Sequence, residues 1–220
     1  MTALSHAIQD YLKGIYKIRQ GQGTVTLTAV AKRMGVSAAS ATNMVKRLAR
    51  LGLVAHAPYR TVELTAAGEK AALEIIRHHR LLELFLRQHL GLDLHQIHRE
   101  AEKMEHTLSE AVEARIAALL GDPVADPHGD PIPGPGGMLT QQAHPRLEEL
   151  RPGDRGEVAR VSDEDPRLLR RLSALGLLPG THVRVLQRRR NGVLALLSGG
   201  RRQYVSPALA RAVFVAPRRG

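Results

Sequence analysis

The stretch "HREAEKMEH", residues 98–106, sets two histidines and three glutamates within nine positions. At about 100° per residue along a helix, His98, Glu102, Glu105 and His106 fall at roughly 0°, 40°, −20° and 80°, a single arc of about 100°. Four side chains able to ligate a metal therefore converge on one side. Glu and His are also ordinary on solvated helix faces, so this arc leaves two readings open, a metal site or a wetted surface. His79 and Glu83 are four residues apart and face one way, and Asp10 lies among apolar positions of a first predicted helix. Three helices thus offer seven ligands. A hydrolytic metal site needs an open coordination position and a positioned base; this set leaves no spare base, and the chain is not read as an enzyme. His78, His89 and His95 read as surface residues.

These side chains need a scaffold, and periodicity supplies one. Ile8, Leu12, Ile15 and Tyr16 recur at helical spacing over residues 5–19. In "TVTLTAVAKRMGVSAASATNMVKRLARLGLV", Thr28 can cap a helix over 28–34 that ends at Gly35. Ser37 can cap a second over 38–51 that ends at Gly52. Two short helices about a glycine turn make a helix-turn-helix. "LVAHAPYRTVELTAAG" alternates around Pro58, Tyr59 and Arg60 as a small hairpin, the wing of a winged helix. Thr65 can cap a long helix over 66–90. A further helix, 94–120, opens at Asp93 and Gln96 and carries an apolar stripe of Ile97, Met104, Leu108, Val112, Ile116 and Leu119. Such a stripe usually buries against a second subunit, which predicts a homodimer. Residues 121–137 are rich in Pro and Gly and read as a linker. From 147 onwards, "RGEVARV", "THVRVLQRR", "GVLALLSG" and "AVFVA" read as strands, "RRLSALGLL" as a short helix, and Asn191-Gly192 as a type I′ turn in a small five-strand barrel.

The fold predicted is mainly α with small β elements. Its parts are a winged helix-turn-helix DNA-binding domain (1–73), a helical metal-binding and dimerisation domain (74–121), a linker (122–146) and an SH3-like β-barrel (147–220). The net charge of +11 and pI of about 10.8 call for an anionic partner, most often nucleic acid. That charge is uneven: +7 over residues 1–70, −2 over 71–121 and +6 thereafter. With no Cys, thiolate chemistry and zinc-thiolate sites are excluded. No apolar run approaches a membrane span and the N-terminus lacks a secretory pattern, so the expected compartment is the cytoplasm.

The motifs together resemble the diphtheria-toxin-repressor family of metal-dependent transcription regulators, which includes the manganese transport regulators. "DYLKGIY", "VAKRMGVSAASATNMVKRLARLGLV", "LTAAGEKAA", "RHHRLLELFL" and "HREAEKMEHTLSEAVEARI" stand in the family's order. "DPHGDPIPG" resembles its connecting segment. "LEELRPGDRGEVARV" and "RRLSALGLLPGTHVRVL" resemble the SH3-like domain of its longer members, shared with FeoA proteins. The resemblance implies a primary metal site at Asp10, Glu102, Glu105 and His106. It implies an ancillary site at His79, Glu83 and His98, to which the SH3-like domain can add Glu164 or Asp165. Iron-responsive members carry Met and Cys where this sequence has Asp10 and Glu102. Hard carboxylates suit Mn²⁺, while Fe²⁺ competes and Zn²⁺, Co²⁺ or Cd²⁺ can substitute in vitro. Short manganese regulators have a glutamate where Lys13 stands, so two separate sites are expected.

The helix after Ser37 should enter the major groove of a palindromic operator, presenting Ser37, Ala39, Ser40, Thr42 and Asn43 to bases. Lys32, Arg33, Lys46, Arg47, Arg50 and Arg60 are candidate phosphate contacts. The function expected is a Mn²⁺-dependent repressor of metal-uptake genes. The alternatives are an Fe²⁺-dependent repressor, or a winged-helix regulator whose metal is structural.

Overall fold

A computed structural model describes residues 4–56, 61–139, 143–163 and 165–218. The chain divides into two compact units. The first is Met1–His79, Glu102–Glu113 and Pro133–Leu139; the second is Arg80–Ala101, Ala114–Ile132 and Thr140–Gly220.

The first unit opens with α1 (His6–Gln22), α2 (Leu27–Met34) and α3 (Ala38–Arg50). The cap of α2 is Thr26 rather than Thr28, its hydroxyl accepting from the Ala29 amide at 3.1 Å. An oxygen at that position satisfies an amide the first helical turn leaves open, and Thr28 already lies inside the helix. Ser37 caps α3 as its spacing predicts, accepting from the Ser40 amide at 3.2 Å. Gly35, at φ 64°, makes the left-handed turn between the two helices. Leu12 and Ile15 of α1, Val30 of α2, and Ala41, Val45 and Leu48 of α3 share one core, so α1 and α3 are parts of one packed body. Strands β1 (Val54–His56) and β2 (Val62–Leu64) pair antiparallel, Val54 opposite Leu64. The turn of this wing, Arg60 included, lies outside the described residues.

Helix α4 (Ala66–Leu90) has the predicted extent, and Thr65 caps it by accepting from the Gly68 amide at 3.1 Å. A Cβ on Gly68 would stand 1.9 Å from the Leu53 carbonyl oxygen, so only glycine lets the backbone just before β1 approach the helix this closely. The predicted single helix 94–120 is two, α5 (Leu94–Met104) and α6 (Glu110–Leu119). Thr107 donates to the Met104 carbonyl at 3.0 Å, closing α5, and the Ser109 hydroxyl accepts from the Val112 amide, opening α6. Glu105 and His106 therefore leave the helix in a turn, and their directions are set by that turn rather than by helical periodicity. Of the predicted stripe, Ile97 and Ile116 are buried, whereas Met104, Val112 and Leu119 remain exposed on the single chain.

In the second unit β3 (Arg155–Val161), β4 (His182–Arg188), β5 (Leu194–Ser198), β6 (Arg201–Val205) and β7 (Val213–Pro217) form one antiparallel sheet ordered β6-β5-β4-β3-β7. Helices α7 (Pro166–Ala174) and α8 (Pro207–Arg211) pack with it around Leu172, Leu177, Val185 and Val213. The β4–β5 turn is longer than the predicted two residues: Arg189 and Val193 close it, with Gly192 at φ 79° inside. Among the described residues no helix is long and apolar enough to cross a membrane.

Gly68→Ala should destabilise the first unit by about 1–3 kcal/mol, because the added methyl meets backbone that cannot yield cheaply. The expected signature is a lower urea midpoint for the loss of helical circular dichroism.

Candidate functional site

The first cluster belongs to the first unit. Ligand atoms of Asp10, Glu105 and His106 lie within 4.8 Å of one another. His106 Nε2 is 3.0 Å from Asp10 Oδ1 and 3.6 Å from Glu105 Oε1. The ring is aimed from behind: its Nδ1 donates to the Gln9 amide oxygen at 2.7 Å, and it stacks on His6 at 4.7 Å between centroids. An imidazole fixed through one nitrogen presents the other in a defined direction, as metal-ligating histidines do. Asp10 is partly open to solvent, and so is Glu102, which lies 3.8 Å from Lys13 Nζ.

Glu105 is sealed from water, and burial alone would push its carboxyl up. The hydrogen bond and charge of His79 outweigh that, aided by Lys13, and hold it below the ordinary carboxylate range. His79, predicted for the ancillary set, turns its Nδ1 to Glu105 Oε2. His78 is buried rather than on the surface, held by the Glu105 carbonyl at 3.1 Å and Glu113 at 3.0 Å.

A second cluster is built within the second unit. His98 Nδ1 is 3.1 Å from Glu83 Oε1 and 4.0 Å from Asp163 Oδ2. His128 Nε2 approaches the same carboxylate oxygen to 3.8 Å. His79 precedes Glu83 by one turn of α4. Of the SH3-like candidates, Glu164 lies outside the described residues. Asp165 caps α7, its carboxylate accepting from the Arg167 amide at 2.8 Å, and Asp163 faces the cluster in its place.

His128 is the residue sequence reading passed over. It is 0% exposed, and neither ring nitrogen has a hydrogen-bond partner among the described residues. A tight turn presents it. Asp126 accepts from the amides of His128 and Asp130 at 2.8 and 2.9 Å, and Gly129, at φ 84°, sits where a Cβ would stand 2.0 Å from the Ala159 carbonyl. A buried imidazole whose nearest partner, the Glu83 carboxylate, stands beyond hydrogen-bond distance is costly and suits an added ligand. The available signal was "DPHGDP", three metal-capable side chains in a segment otherwise lacking periodicity. Burial opposes the charged ring, but Glu83 beside it, with Asp126 and Asp163, raises the His128 pKa to about 9.

The nucleic-acid candidates lie on α2 and α3. Ser37, Ala39, Ser40, Asn43, Lys46, Arg47 and Arg50 are exposed, as are Lys32 and Arg33, and Thr42 is half-buried. Thr42 donates to the Ala38 carbonyl at 2.7 Å, and the Ser37 and Ser40 hydroxyls lie 2.9 Å apart. Asn43, Lys46, Arg47 and Arg50 are the long, exposed side chains of α3.

Sequence profiles of three families match consecutive parts of the chain. These are "Iron dependent repressor, N-terminal DNA binding domain" over residues 3–62, "Iron dependent repressor, metal binding and dimerisation domain" over 65–134, and "FeoA domain" over 146–217. The diphtheria toxin repressor of Corynebacterium efficiens is 32% identical across 98% of this chain and 97% of that one. The chain belongs to the diphtheria-toxin-repressor family. The iron-dependent repressor IdeR of Mycobacterium tuberculosis is 32% identical across 98% and 99% of the two chains. A manganese-dependent transcriptional repressor solved in complex with manganese is 40% identical, with a TM-score of 0.90 over 96% of this chain and 100% of that one. Membership makes the chain a metal-dependent, DNA-binding transcriptional repressor rather than an enzyme, and one with a dimerisation domain.

Because the His128 pKa is raised from 6.5 to about 9 in the folded chain, its charged form favours folding at low pH. That contribution is fully present below pH 6.5 and is lost as pH rises towards 9. The metal-free chain should therefore melt at progressively lower temperature across this interval, and His128→Gln should flatten the trend.

Proposed function

We propose that this member of the family is a Mn²⁺-dependent repressor of metal-uptake genes that binds a palindromic operator as a homodimer. The observation that carries the reading is the donor chemistry of the first cluster. Asp10, Glu102, Glu105 and His106 offer oxygen and imidazole only, with neither cysteine nor methionine among them. Hard oxygen donors suit Mn²⁺, and Irving–Williams affinity alone would rank it last, so selectivity rests on coordination geometry and cellular supply. Fe²⁺ is the second reading, favoured by the same oxygen and imidazole donors.

Glu83, His98, His128 and Asp163, with Asp126 behind the turn and His79 one turn back on α4, fit a second centre of similar chemistry. The buried His128 imidazole, which makes no hydrogen bond among the described residues and stands 3.8 Å from the Glu83 carboxylate, is the feature that favours it. A bound divalent ion would supply positive charge that the carboxylates lack.

The residues of this chain then do the rest. Asp10 stands on α1, whose buried face shares a core with the recognition helix α3. Glu105 and His106 stand on the turn after α5. Drawing these carboxylates and the imidazole to a common centre fixes α1, and through its core the attitude of α3. In the dimer, two recognition helices would then match two half-sites. Metal and operator affinity must be coupled reciprocally, by about 5–150-fold for a coupling of ordinary size. Lys32, Lys46, Arg47 and Arg50 would take phosphates, and Asn43 an adenine edge.

Selection of genomic fragments should enrich a palindrome upstream of metal transporters with Mn²⁺ and none in chelator. A parallel anaerobic arm with Fe²⁺ assigns the metal: equal enrichment there would give Fe²⁺ the same standing. Asp10→Ala should abolish the Mn²⁺ dependence. Persistence of binding in chelator would make both clusters structural.

Lys46→Ala and Arg47→Ala should each weaken operator and random DNA alike and lower the slope of log affinity against log salt by about 1. An unchanged slope would remove that residue from the phosphate contacts.

A further inference from the structure

Lysine on a helix normally keeps its ammonium in water. Lys13 does not: the residue is 6% exposed, on the side of α1 that carries Asp10 rather than the side of Ile15. Burying an ammonium is costly unless it is fully paired. Its Nζ donates to both Glu105 oxygens at 2.8 Å, lies 3.2 Å from His79 Nδ1, and reaches Glu102 Oε1 at 3.8 Å. Three acidic or imidazole groups surround one cation, and two of them, Glu102 and Glu105, belong to the donor set of the first centre.

We propose that the Lys13 ammonium is a resident cation of the first centre, competing with divalent metal for Glu105 and so setting the metal concentration at which the repressor responds. This rests on the metal reading of that centre. Asp10 and Lys13 lie three residues apart on α1, so one helix offers the centre both an anion and a cation. Asp10 reaches His106 at 3.0 Å while Lys13 holds Glu105. A metal ion drawn in by Asp10 and His106 must share Glu105 with the ammonium, or move it aside. Either way the charge of Lys13 opposes binding. Without metal, the same charge offsets the buried carboxylate and ties α1 to the turn after α5. The lysine thereby lowers metal affinity and stabilises the metal-free state through one contact.

An ordinary structural ion pair would predict something different. Its removal would loosen the metal-free protein and leave metal affinity unchanged or weaker. The resident-cation reading predicts tighter binding from the variant that is less stable when metal-free.

The test uses the full chain with the second cluster disabled by Glu83→Gln and His128→Gln, so that Mn²⁺ titration calorimetry reads the first centre. In that background Lys13→Met should bind Mn²⁺ at least about tenfold tighter, since a cation a few ångströms from the site is removed. Lys13→Arg, which keeps the charge, should stay within about threefold of the parent. In chelator Lys13→Met should melt below its parent, and Mn²⁺ should close the gap. Should Lys13→Met not fold without metal, Lys13→Gln, neutral and polar, takes its place with the same expected gain. Unchanged or weaker Mn²⁺ binding by the neutral variant overturns the proposal. Asp10→Ala separates the two readings. If it weakens Mn²⁺ binding while the neutral Lys13 variant changes nothing, only the role of Lys13 falls. If Asp10→Ala binds like the parent, the metal reading of the centre falls and the proposal with it.

Discussion

A carboxylate removed from water must be matched by positive charge, and this requirement organises both clusters. Glu105 and Glu83 are each about 1% exposed. Neither can be left alone, because an unpaired buried charge costs more than most single contacts return. Glu105 is matched by Lys13 and His79, Glu83 by His98 and His128. Each site is thus a carboxylate surrounded by cationic or neutral nitrogen donors, the arrangement from which a divalent ion can take over the role of counter-charge.

Coupling of such a site to DNA needs no long pathway. Asp10 and Lys13 are on α1, and Leu12 and Ile15 of the same helix sit in the core with Ala41, Val45 and Leu48 of α3. Interiors are close-packed, so a helix restrained on one face passes that restraint to what it packs against. The outward side of α3 carries Asn43, Lys46, Arg47 and Arg50. Asp10 and Asn43 are therefore separated by one helix pair, α1 and α3, within the first unit.

Periodicity made some of this legible and left some hidden, for identifiable reasons. Helix α4 keeps one apolar pattern from Ala66 to Leu90, so its limits could be read directly. The break between α5 and α6 could not, because Met104, Leu108 and Val112 continue the helical spacing across the turn. The decisive signals there are the hydroxyls of Thr107 and Ser109, and these look like ordinary helix-surface residues in sequence. Asp10, Glu105 and His106 were candidates by spacing and are brought within 4.8 Å, although Glu105 and His106 reach it from a turn. His128 was hidden by its neighbours. The prolines and glycines around it read as linker, yet Gly129 is what permits the tight approach to Ala159. Asp163 and Asp165 could not be separated by composition: which one caps α7 depends on where the first helical turn begins. Lys13 stood out only as a departure from a carboxylate pattern, and its burial is a tertiary fact that no local rule supplies.

The two clusters differ in how their positive charge can be relieved. At the second, the charge is a proton on an imidazole with a pKa of about 9, and a ring nitrogen that loses it becomes a ligand. Occupancy there is tied to proton release, and a falling pH competes directly with metal. At the first, the charge is carried on a flexible four-carbon stem, and a lysine ammonium has no lone pair to offer a metal. Relieving it means moving the side chain, so there the competition adds the position of the Lys13 ammonium to the proton release that the His106 imidazole requires. Of the two, it is the first whose occupancy bears on α1 and, through its core, on α3. The His128 imidazole belongs to the second unit and α3 to the first.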